Sequence, residues 1–448
     1  MKLTFYGGAE SVTGAQYMLE TEEEKILIEC GMKQGEDYCE KNNFEPLPYK
    51  PNEIKAVIIT HAHIDHIGML PRLFREGFRG EIYSTDPTKD FSELLLLDSA
   101  DILRKEAEKH GEKPFYEEKD INSLMKNWKK MEYYQPFQIG KYKIEFKNAG
   151  HILGSASVII EAENKKIVFS GDLGNSEPSI IKEKDYIKEA DYALIESVYG
   201  SRIHEDADKR RDMLEDFVEE VINDEGTLLI PTFAMERTQE LLFEFDNLIR
   251  KGRIPKVPIY LDSPLAIKLT TIYKKYRNYF REEIADKIKL GDDIFDFPGL
   301  DATLTHEESL KIDRDKGPKI IMAGSGMSQG GRILRHELNY LSDSKSGILF
   351  AGYQAEGSLG RQIQEGKNKV VIFGKEVEVK CKIKNIDGYS AHADQRELVN
   401  WAREMAQSVK IIFVTQGDKE AAEVLATKIK DELAIETKVP KPKEEVVI

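Results

Sequence analysis

The chain has 448 residues, 40% hydrophobic and 32% charged, with a net charge of −15. Its length exceeds the roughly 100–200 residues of one domain, so two or more domains are expected. No stretch reaches the roughly 18–20 apolar residues of a membrane helix, and Cys30, Cys39 and Cys381 make no disulfide framework, so the expectation is no membrane partner and a cytoplasmic location. The acidic balance argues against indiscriminate polyanion binding, yet leaves room for a local basic cleft or a metal-dominated site.

Short β-type runs open the chain, from LTFYG through YMLET and KILIECG to an apolar run that ends at Thr60. A helical pattern follows from about Pro87 to Glu132, and strand-like runs return at 142–146, 156–161, 167–170 and 190–197. After about Gly200 the texture changes. Helical stretches at 210–222, 237–250 and 331–340 alternate with strand-like ones at 227–233, 257–262, 319–323 and 347–353. That alternation suggests βαβ units and a mainly parallel sheet. From about Lys375 short strands resume, followed by a helix (395–406), a strand (410–414), a final helix and a charged tail, KPKEEVV, that reads as frayed. The spacing therefore predicts one domain interrupted by another: residues 1–200, an insert over 201–375, and completion over 376–448.

The chemistry concentrates in HAHIDH, which places His61, His63, Asp65 and His66 within six positions at the end of a buried-looking strand. Neutral imidazole and carboxylate suit zinc and similar borderline ions. Two further candidates, His151 in NAGHILGS and Asp172 in SGDLGN, each follow a strand in a glycine-rich turn where ligands and backbone approach closely.

With GH at Gly150–His151 and GD at Gly171–Asp172, THAHIDH resembles the metallo-β-lactamase superfamily. ESVYG around Glu196, PTFAMERTQE, SGMSQGGR, GYQAEGSLGR and YSAHAD around His392 resemble the β-CASP branch of nucleic-acid processing nucleases, over essentially the whole chain. The resemblance implies a four-layer αββα metallo-β-lactamase fold with an inserted α/β, parallel-sheet, Rossmann-like β-CASP domain. It implies two zinc ions: one on His61, His63 and His151, a second on Asp65 and His66, and Asp172 bridging both. His392 becomes the candidate general acid, oriented by Glu196. The activity implied is hydrolysis of single-stranded RNA, endonucleolytic, in a cleft between the domains, with a homodimer left open.

Three positions depart from the family's pattern. Gln416 in FVTQGDK stands where a histidine usually completes the second metal, and His392 is the last of the nine histidines, so no shifted replacement exists. A neutral carbonyl is a weaker zinc donor than imidazole, which predicts a weakened second site, with Asp418 as a substitute ligand. Glu29 replaces a usual aspartate in the supporting shell, and Glu236 replaces a usual glycine. The alternatives are a weakly active RNA-binding or scaffold protein and, less favoured, a small-molecule metallo-hydrolase.

AGSGMSQGGR at 323–332 is a glycine-rich turn between a strand and a helix, whose exposed N–H groups can hold a phosphate. Resemblance puts RNA backbone contacts at Ser325 and Gly326, with Arg237, Arg332 and Arg361 as clamps. KLTTIYKKYRNYF at 268–280 reads as an amphipathic helix with its tyrosines packed inward rather than as a base-stacking stripe.

Overall fold

A computed structural model describes residues 1–35, 41–111, 113–176, 178–355 and 357–448, so Cys39 lies outside the described residues. The chain divides into two compact units, one of residues 1–178, 182–203 and 392–448, the other of 179–181 and 204–391.

Two seven-stranded sheets form the first unit. In spatial order the first runs Glu445–Val447, Lys2–Gly7, Gln16–Glu20, Lys25–Ile28, Ile54–Ile58, Glu81–Thr85 and Trp128–Met131. The second runs Glu436–Lys438, Ile411–Val414, Tyr192–Ile195, Lys165–Phe169, Ala156–Ala162, Tyr142–Asn148 and Phe137–Ile139. Alternating residues of the two sheets, including Leu3, Phe5, Ile26, Phe146, Val158 and Phe169, pack into one buried core. Each such side chain contributes about 1.5–3 kcal/mol on leaving water.

Both sheets need cover on their outer faces, because Val57 and Ile82 of the first and Val168 and Ile412 of the second also point into apolar clusters. Helix Asp86–His110 lays Leu96 and Leu103 on the first. It starts at Thr85, whose hydroxyl caps the helix, with Pro87 in the first turn, and stops at Gly111 in the left-handed conformation. Helices Gln395–Arg403 and Lys419–Leu433 cover the second sheet with Leu398, Trp401, Leu425 and Ile429. The layers are αββα.

The expected frayed tail is corrected by the structure. Glu445–Val447 pairs antiparallel with Lys2–Thr4, Ile448 is 2% exposed, and its N–H donates to the Met1 carbonyl at 3.0 Å. Alternate apolar residues, Val446 and Ile448, reach the core, and an edge strand tolerates the charges between them.

The second unit is built on a six-stranded parallel sheet, ordered Leu300–Ala302, Ile259–Asp262, Lys319–Ala323, Thr227–Pro231, Gly347–Phe350 and Lys382–Asn385. Thr227–Pro231 and Lys319–Ala323 are buried throughout, as central parallel strands are. The chain returns to the first unit at His392 rather than near residue 376, because Lys382–Asn385 is recruited as the edge strand of this sheet. Helix Pro264–Lys275 buries Tyr273, and Tyr276 beyond it is buried too. None of the described helices is long and apolar enough to cross a membrane.

Candidate metal centre

The candidate ligands lie where strands of the first unit end. His61 and His63 follow Ile54–Ile58, and Asp65 and His66 sit in the short helix Ile64–Ile67. His151 follows Tyr142–Asn148, Asp172 follows Lys165–Phe169, Glu196 follows Tyr192–Ile195, and Gln416 follows Ile411–Val414. Glycines with positive φ, Gly150 and Gly171, turn the chain sharply before His151 and Asp172. Gly150 has φ +67°, and a Cβ on it would lie 2.5 Å from the Lys184 nitrogen, so only glycine sets His151 at this depth. The His151 turn is closed by Ser155, whose Oγ accepts the N–H of His151 at 3.0 Å and of Ile152 at 3.2 Å.

His61, His63, His151 and Asp172 converge, with one ligand atom of each within 4.8 Å of the others. His63 Nδ1 stands 3.0 Å from His61 Nε2 and 3.2 Å from His151 Nε2, while Asp172 Oδ2 is 3.3 Å from His61 Nε2 and 3.6 Å from His151 Nε2. Three ring nitrogens turned onto one point cannot all be satisfied by sharing protons. Their separations match the edges, about 3.3 Å, of a tetrahedron with zinc–nitrogen bonds near 2.0–2.1 Å. Burial, reinforced by the neighbouring histidines, holds the His63 and His151 imidazoles well below the ordinary range, so both are neutral as ligands must be. Burial alone would raise Asp172, but His66 and His61 beside it override this and hold its carboxyl well below the usual value. These four residues fit a zinc-type divalent ion.

The second half-site is adjacent. His66 Nε2 lies 3.6 Å from Asp65 Oδ2 and 3.4 Å from Asp172 Oδ1. The buried Glu29 carboxylate bridges its support: Oε1 accepts the Thr60 N–H at 3.1 Å, and Oε2 faces His66 Nδ1 at 3.5 Å. Gln416 turns its side-chain amide nitrogen into this half-site, 2.8 Å from Asp172 Oδ1 and 3.0 Å from His66 Nε2. Asp418, the substitute ligand expected from sequence, instead occupies the N-cap position of helix Lys419–Leu433.

Beside the tetrad, His392 Nδ1 is 3.1 Å from Glu196 Oε1 and 4.0 Å from Asp172 Oδ2. Glu196 is fully buried and accepts the N–H groups of Leu173 at 2.8 Å and Val198 at 3.2 Å, so its carboxylate cannot swing away. Burial would lower His392, but the Glu196 charge and hydrogen bond outweigh it and push the imidazole up to about 9. Sequence reading missed Lys184, whose buried ammonium donates to the Gly174 carbonyl at 3.0 Å and to Glu397 at 2.6 Å, bracing the turn beside His151. A lysine in a charged run carries no signal of that role.

The expected phosphate-binding residues all lie in the second unit. Ser325 donates its N–H to the Gly330 carbonyl at 3.1 Å, and its Oγ accepts the Gln329 N–H at 3.1 Å. Gly326 packs so closely on Phe233 that a Cβ would meet the ring at 2.6 Å. Arg237 is 5% exposed and lies 3.3 Å from both Glu236 and Glu240. Glu236 has φ +69° and ψ −66°, closed by a 3.0 Å bond from Arg237 N–H to the Met235 carbonyl; this is a γ-turn that explains the glycine usual there. Arg332 binds Asp262 at 2.7 Å and the carbonyls of Thr303 and Leu304, while Arg361 pairs with Glu365 at 2.6 Å. Asp262 also takes bonds from Ser309 and His336, making a fully buried hub that its sequence, LDSPLA, does not announce.

An αββα sandwich carrying three histidines and an aspartate at its strand ends, interrupted by a parallel α/β unit, defines a metal-dependent hydrolase of nuclease type. Comparison with known proteins makes it specific. The chain matches the metallo-beta-lactamase superfamily domain over residues 18–199, the Beta-Casp domain over 238–363 and the Zn-dependent metallo-hydrolase RNA specificity domain over 376–440. It is 37% identical to "Ribonuclease TTHA0252" of Thermus thermophilus, over 94% of each chain. It is 33% identical to "RNase J-like protein" of Methanocaldococcus jannaschii, over 98% of this chain and 97% of that one. With "Transcription termination factor FttA" of Methanosarcina mazei it shares 32% identity, over 98% of this chain and 70% of that protein. A crystal structure of a protein of unknown function from Enterococcus faecalis shares the fold, with a TM-score of 0.57 at 13% identity over 100% of this chain and 99% of that one. The chain belongs to the β-CASP ribonuclease family of the metallo-β-lactamase superfamily.

Proposed function

We propose that the protein is a zinc-dependent ribonuclease that hydrolyses phosphodiester bonds of single-stranded RNA by internal cleavage, in the cytoplasm. The observation that carries this reading is the His392–Glu196 pair, a held proton donor 4.0 Å from Asp172, itself one of the four converging ligands. His61, His63, His151 and Asp172 would hold the zinc ion, which when bound supplies Lewis acidity and a water activated near neutral pH. Asp65, whose carboxyl burial raises, takes the proton of the attacking water. His392 carries a proton at neutral pH, and Glu196 on Nδ1 fixes the ring so that Nε2 delivers it to the departing 3′ oxygen. Ser325, Gly326 and Arg361 are the proposed contacts for the RNA backbone, with Arg237 and Arg332 positioning the loops beside them.

The names of the relatives and the RNA specificity match support RNA as the polymer. A circular single-stranded RNA offers no end to an exonuclease, so it separates the modes. The expected result is linearisation by the zinc-loaded protein. Degradation of linear RNA alone overturns internal cleavage, and no cleavage of either overturns the ribonuclease reading. The competing reading, an RNA-binding protein of weakened activity, draws on Gln416 and expects retention of both RNAs uncut.

A further inference from the structure

We infer that the centre is built for a single ion, with the Gln416 carboxamide as the permanent occupant of the half-site formed by Asp65 and His66. This rests on the metal-centre reading above and concerns how many ions the chain holds.

The carboxamide is held from both sides. Its backbone N–H donates to the Gly8 carbonyl at 2.7 Å and its carbonyl accepts the Ser197 N–H at 3.2 Å, fixing the residue at φ +47°. The side chain runs against Gly8, where a Cβ would come within 3.2 Å of its Cγ, and the residue is only 3% exposed. The –NH2 group donates to Asp172 Oδ1 at 2.8 Å and lies 3.0 Å from His66 Nε2. Those are the two atoms that would turn toward a second ion. Glu29 Oε2 lies 3.5 Å from His66 Nδ1 on the far side of the ring, so the imidazole is enclosed between Glu29 and Gln416.

For Gln416 to serve as a ligand instead, its amide must turn so that the carbonyl oxygen faces inward. That sets an oxygen against the Asp172 Oδ1 carboxylate oxygen in place of a donor and breaks that hydrogen bond in a buried site. A neutral carbonyl returns little of this as a zinc ligand. Among the described residues no carboxamide enters the half-site of His61, His63 and His151, where His61 Nε2, His63 Nδ1 and His151 Nε2 stand against one another and Asp172 Oδ2. Asp172 is thereby divided: Oδ1 accepts from Gln416, and Oδ2 is the oxygen left for the ion that His61, His63 and His151 would hold.

The test is metal stoichiometry, independent of activity. The full chain is stripped with chelator, reloaded with excess Zn2+, freed of unbound metal and analysed by mass spectrometry. A parallel Mn2+-loaded sample is read by electron paramagnetic resonance. The expected result is one equivalent of zinc and the spectrum of isolated Mn2+, with Gln416→His rising to two equivalents and an exchange-coupled spectrum. Two equivalents or a coupled spectrum in the wild type overturns the inference, as does a folded Gln416→His that remains at one. Should the variant not fold, the wild-type stoichiometry and spectrum decide alone. One equivalent in a protein that leaves RNA intact sinks the ribonuclease reading while upholding this one.

Discussion

Replacing Glu196 with glutamine removes one charge and keeps the shape. In the wild type, His392 stands at about 9 against an ordinary 6.5, a difference of about 3 kcal/mol in favour of the imidazolium at about 1.4 kcal/mol for each pH unit. Burial works against that charge, and the Glu196 carboxylate does most to restore it. With the carboxylate gone, burial remains and only the more distant Asp172 and Asp65 oppose it, so the pKa falls to about 6.5 or lower. At pH 7.5 the protonated fraction then drops from about 97% to about 10%, whereas at pH 6 it falls only to about 75%. The loss in kcat/KM for Glu196→Gln is therefore expected to be several-fold greater at pH 7.5 than at pH 6, on top of a factor of about 10²–10⁴ for a mis-set general acid. Histidine NMR of the chelator-stripped protein reads the pKa directly, with His392→Asn assigning the resonance. A His392 that still titrates near 9 in the variant, or a loss in kcat/KM that does not change with pH, would refute the reasoning.

Gly31→Ala would push a Cβ to 1.6 Å from the Asp65 carbonyl, displacing the loop that carries His63 and His66; zinc affinity by competition with a chromophoric chelator should fall at least about tenfold. Asp262→Ala leaves the buried His336 and the partly exposed Arg332 without their carboxylate, at a cost of about 3 kcal/mol, seen as a lower melting temperature for the second unit. Zinc at about 100-fold over its Kd should stabilise the first unit by about 2.7 kcal/mol, or about 5–10 °C in melting temperature, and chelator should remove that gain.

The fold and the convergence of His61, His63, His151 and Asp172 were legible because both rest on local pattern. The apolar run before HAHIDH fixes the strand, the strand fixes where the ligands emerge, and the strand–helix alternation after Gly200 announces a parallel sheet. What stayed hidden depends on contacts distant in sequence. The tail forms a strand because Lys2–Thr4 offers it an edge, 443 residues from Glu445 at the nearest ion pair. Arg237 and Arg332 look like phosphate clamps until Glu240 and Asp262 are seen to hold them. Gln416 was visible as a substitution, but the direction in which its amide points follows only from Asp172 and His66 being brought to it.

The most direct measurement of the central claim sets zinc-loaded wild type beside His63→Ala, with labelled single-stranded RNA as substrate and bound metal quantified in both. His63 Nδ1 touches both neighbouring ligands, so its loss should abolish tight zinc binding and cleavage together while the protein stays folded. Cleavage that persists in a folded, metal-free His63→Ala protein would contradict the assignment of these residues as the catalytic metal centre.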